Sequence, residues 1–145
     1  MPDPLAPSDA LVGVLAASLA PRYRLLSVAP RGDVPYQVDA VDLLGVLRQF
    51  GFAAPVLLGE RFGALTATLA AAWYPELVAG LVLVDPRLDS PWPSDSIKAR
   101  ALRDCPPAWS RLESALICPL LELPAGALDL QAVEAFLDNL RATVR

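Results

Sequence analysis

Between residues 55 and 84, apolar side chains crowd into two short runs separated by an alanine-rich stretch, and polar residues collect at the junctions. Pro55-Val-Leu-Leu58 reads as a strand, Gly59-Glu-Arg-Phe-Gly63 as a turn, and the following residues through Trp73 as a helix. Val78 to Val84 is the next strand, ended by Asp85-Pro86. Short unbroken apolar runs of this kind suit strands covered on both faces. Upstream, Ser8 is a plausible N-cap for a helix from Asp9 to Leu19. Leu11, Val12, Val14, Leu15 and Leu19 face a core there, and Pro21 stops the helix. Tyr23 to Ala29 reads as a strand, bounded by Pro30 and Arg31-Gly-Asp33. Val38 to Phe50 is an amphipathic helix with Val41, Leu44 and Leu47 on one face and Gly51 as its C-terminal stop.

The pattern changes over residues 87 to 107, where Pro91-Trp-Pro93 and Pro106-Pro107 bracket a short charged helix, Ser96 to Arg103. This is a connecting excursion rather than a second domain. Cys118-Pro-Leu-Leu-Glu-Leu123 reads as a later strand. Asp129 then caps a final helix whose face is Leu130, Val133, Phe136, Leu137, Leu140 and Val144. Alternating strands and helices predict one α/β domain over residues 1–145, three-layered α/β/α, with a mainly parallel sheet of about four strands.

Composition narrows the function classes. With 54% hydrophobic and 19% charged residues, the chain can build a core. A net charge of −4 supplies no basic field for a phosphate backbone, so nucleic acid is not an expected partner. Cys105 and Cys118 have no metal-ligand spacing, and neither a metal nor another cofactor is expected. Met1-Pro-Asp-Pro4 does not read as the start of a signal peptide, which makes a cytoplasmic location the expectation. Ala64 to Val84 approaches the roughly 20 apolar residues of a membrane span. Trp73-Tyr-Pro-Glu76 interrupts it, so a buried helix followed by a buried strand is expected, with no membrane partner.

Gly59 and Gly63 stand four apart around Arg61, the spacing of the G-x-S-x-G nucleophile elbow with arginine in place of serine. From this stretch, and from Pro75 through Pro86, the chain resembles the α/β-hydrolase superfamily; Arg31-Gly32 matches the turn after an earlier strand of that family. The resemblance implies a reduced hydrolase-like core in which residues 87–107 stand in place of a lid domain. It also implies a serine nucleophile, a histidine base and an acid, of which the acid would fall near Asp129. The chain has Arg61 at the serine position and no histidine at all, so no catalytic residue is assigned. Asp129, just before an apolar helix, is an N-cap first.

Arg61 has two readings. In elbow geometry its guanidinium would lie over the N-terminus of the following helix, where Phe62 and Gly63 backbone N–H groups favour a small anion. Alternatively it pairs with Glu60 or Asp85, or simply reaches water. The glycine spacing fits neither G-x-G-x-x-G nor the Walker loop. Glu60 with Asp85 reads as ordinary strand-end acids, Cys118 as a small buried hydrophobe, and Trp92 and Trp109 as core cover. The expected function is therefore catalytically inactive and hydrolase-like, with a binding or assembly role. The alternatives are a fragment of a longer serine hydrolase or a non-functional remnant. The family's strand between Tyr23–Ala29 and Pro55–Leu58 has no counterpart here, so these two segments are expected to pair directly, leaving poorly protected edges and a tendency to self-associate.

Overall fold

The computed structural model describes residues 9–29, 34–86, 112, 115–124 and 128–143. Its elements are α1 (Asp9–Leu19), α2 (Tyr36–Gln49), β1 (Val56–Glu60), α3 (Phe62–Trp73), a 3₁₀ turn (Pro75–Leu77), β2 (Gly80–Val84), β3 (Leu120–Leu123) and α4 (Leu130–Thr143). The expectations for Ser8, Arg31-Gly32, Trp92, the helix Ser96–Arg103, Cys105, Trp109 and Val144 fall outside the described residues.

The strands form a parallel sheet in the order β1-β2-β3. All five residues of β2 are buried, as the unbroken run Gly80-Leu-Val-Leu-Val84 requires of a central strand. Their alternation divides the core into two layers. Leu57, Leu81 and Leu83 point to one face, against Ala40, Leu44 and Leu47 of α2 and Leu65, Ala67 and Leu69 of α3. Val82, Val84 and Leu123 point to the other, against Leu19 of α1 and Val133 and Leu137 of α4. Helices on both faces make the three-layer α/β/α arrangement expected from the alternation of strands and helices. Gly80 belongs to the second face for a steric reason: a Cβ there would lie 2.9 Å from Leu140 Cδ1 and 3.3 Å from Phe136 Cζ.

Helix stops are local. Gly51, with φ 78°, adopts the left-handed conformation that ends α2, and Phe52 N–H donates to Leu47 O at 2.9 Å. At the start of α4, the Ala132 N–H donates to Asp129 Oδ1 at 3.0 Å, so Asp129 is the N-cap that its position before an apolar helix implied.

The sheet corrects two expectations. Three strands are present among the described residues rather than about four, because residues 24–29 form no strand. Direct pairing of that segment with Pro55–Leu58 does not occur; a cavity of about 1530 Å³ lies between them, lined by Leu25 and Val28 on one side and Val56 and Leu58 on the other. The apolar run Leu25-Leu-Ser-Val-Ala29 has strand composition, but a strand exists only with a hydrogen-bonding neighbour. What holds the segment instead is its flank. Arg24 Nη2 donates to Phe50 O at 2.6 Å, and its guanidinium carbon lies 4.5 Å from the Phe52 ring centroid. Leu26 packs on the α2/α3 core. The helix faces are corrected in part as well. Val14 and Val41, expected inside, are 45% and 49% exposed.

Candidate functional site

The carboxyl ends of β1 and β2 carry the two non-glycine residues with positive φ among the described residues, Arg61 at 56° and Asp85 at 48°. Arg61 combines that φ with ψ −113°, far from the left-handed helical well, so the backbone there is strained. Two hydrogen bonds hold it. Its N–H donates to Val84 O at 2.9 Å, which ties the turn to the neighbouring strand, and its carbonyl accepts from the Ala64 N–H at 3.0 Å, which begins the helix. Asp85 is fixed in the same manner by donation of its N–H to Leu123 O at 2.9 Å.

Gly59 makes the sharp reversal sterically feasible. A Cβ on it would stand 2.6 Å from the Gly63 carbonyl carbon and 2.7 Å from Ala64 Cα. Both obstacles are backbone and cannot rotate away, so strand and helix can cross this closely only over a glycine. Gly63 has a different role. A Cβ there would meet nothing within 4 Å, so it is the closeness of its main chain to Gly59 that matters, and not its missing side chain. The paired-glycine logic of the sequence motif thus holds sterically for Gly59 alone.

The side chains around this turn differ in setting. Arg61 is exposed and Glu60 half-buried, and each engages other groups of the protein. Phe62 supplies the first residue of α3, whose N-terminal turn follows Arg61 directly and leaves backbone N–H groups without intrahelical partners. On α3 itself, Thr68 Oγ1 donates to Ala64 O at 2.7 Å, while the buried Thr66 Oγ1 has no hydrogen-bond partner. Asp129 is engaged at the N-terminus of α4 by its capping bond.

Cys118 lies just before β3, outside the turn. Burial pushes its thiol pKa up, partly offset by a hydrogen bond to backbone. A thiol held protonated is a poor nucleophile, in keeping with a packing role. No group of three or more His, Cys, Asp or Glu residues suited to a metal ion occurs among the described residues, and none of their helices is long and apolar enough to cross a membrane.

The strained turn at Arg61 thus joins the end of β1 to the start of α3, over Gly59. Two known proteins are similar to part of the chain. A Haemophilus influenzae protein carrying an esterase/lipase assignment is 30% identical over 82 residues, covering 51% of this chain and 29% of that protein. The sn-1-specific diacylglycerol lipase ABHD11 of Mus musculus is 41% identical over 70 residues, covering 43% of this chain and 23% of the mouse protein. These partial similarities support a relationship to the α/β-hydrolase superfamily. The matched region spans less than a third of the length of either relative. No family model matches the chain, and no solved structure matches it.

Two features of the site were beyond the reach of sequence reasoning. The positive φ of Asp85 had no signal beyond an Asp-Pro pair at a strand end. The unpartnered hydroxyl of Thr66 had none, since threonine inside an alanine-rich helix usually bonds back to the preceding turn, as Thr68 does.

Proposed function

We propose that this chain is a hydrolase-like binding module that performs no ester hydrolysis of its own and holds a small anion, a carboxylate or phosphate, at the elbow. One observation carries the reading: the residue at the tip of the strained turn, φ 56° and ψ −113°, is the exposed Arg61. At that position a serine would present a nucleophilic oxygen; an arginine presents a permanent cation with several N–H donors beside the N-terminus of α3. General-base activation has no histidine to draw on in this sequence. Removing a whole triad costs about a million-fold in turnover, so activity at the level of buffer is expected.

The experiment has two arms. With p-nitrophenyl acetate, the protein gives no stoichiometric burst and no turnover above buffer; a burst would reject the reading. With inorganic phosphate or acetate at one hundred times its dissociation constant, the protein gains about 2.7 kcal/mol of stability. Arg61→Ala abolishes that gain, and equal gains in both proteins would assign the anion to another place.

A second reading is favoured by the coverage of the relatives, whose matched regions are 29% and 23% of their lengths. On it, this sequence is the elbow-bearing segment of a longer serine-hydrolase-like polypeptide. Because Arg61 still occupies the elbow, supplying the remainder restores hydrolysis only together with Arg61→Ser. Hydrolysis by the longer polypeptide with Arg61 unchanged would reject both the inactive module and this form of the alternative.

A further inference from the structure

We draw no further inference here: the strongest candidate, the pair Arg22 and Arg141 over the Tyr23 ring where α1 and α4 end, is engaged within the chain by that ring and by Asp138, offsets the negative ends of two helices, and nothing in the structure shows what ligand it would hold.

Discussion

The two sides of β1 are built on the same five residues and could hardly differ more. On the side of β2, the register runs without a break from Val56↔Gly80 to Glu60↔Val84, and it continues past the strand through Arg61. On the other side, Val56 and Leu58 border a cavity of about 1530 Å³ and a segment with strand composition but no strand. The closed side shows that a strained backbone can be held when its N–H and C=O groups are both engaged and a glycine removes the steric obstacle. The open side shows that apolar composition alone does not make a strand, since Leu25 and Val28 remain at the cavity wall for want of a hydrogen-bonding neighbour.

Glycine substitution breaks the closed side most severely. Gly59→Val is expected to cost more than about 4 kcal/mol, because the obstructing atoms are the Gly63 and Ala64 backbone; urea unfolding measures it. Gly63→Ala, by contrast, meets open space in a helix and is expected to be neutral or stabilising by up to about 1 kcal/mol. Similar large losses in both would show that the two glycines share one steric role, contrary to the geometry.

Core truncation sharpens the contrast next. Leu81→Ala, in the fully buried centre of the sheet, is expected to lose about 2–5 kcal/mol. Val41→Ala, at the cavity and 49% exposed, is expected to change stability by no more than about 0.5 kcal/mol. A comparable loss at Val41 would mean that the open side is closed in solution, and the same denaturation curves would reveal it.

Arg61→Gly tests the strain directly and has the opposite sign. Releasing a side chain from φ 56° is expected to raise stability by about 1–2 kcal/mol, read as a higher urea midpoint at unchanged slope. A fall in stability would show that contacts of the Arg61 side chain outweigh its backbone strain.

The smallest effect concerns Cys118. Burial raises its folded-state pKa, so the unfolded chain releases the thiol proton first. Stability is then fully present below the unfolded thiol pKa and declines as pH rises through it toward the raised folded value. Alkylation by iodoacetamide in native buffer is expected to reach its half-maximal rate at higher pH than in urea. Coincident profiles would remove the burial effect.

Much of this arrangement is readable along the chain. Alternation of unbroken apolar runs with helical periodicity locates β1, α3 and β2 closely, and Asp129 and Gly51 mark helix ends by short-range hydrogen bonding and backbone freedom that their own neighbours dictate. The glycine at position 59 is legible for the same reason, because a strand that reverses into a helix within two residues requires glycine at a predictable position. The sequence by itself therefore determined β1, α3 and β2, the helix ends at Gly51 and Asp129 and the helical covering of both sheet faces, all of which follow from local patterning. Only the tertiary structure decided that Leu25–Ala29 forms no strand, that Val14 and Val41 remain exposed, and that Val56 and Leu58 border a cavity. The missing strand depends on whether a distant segment arrives within the ~4.8 Å spacing that a strand partner needs, and the exposure of the two valines on which elements pack over their helices; no local pattern encodes either.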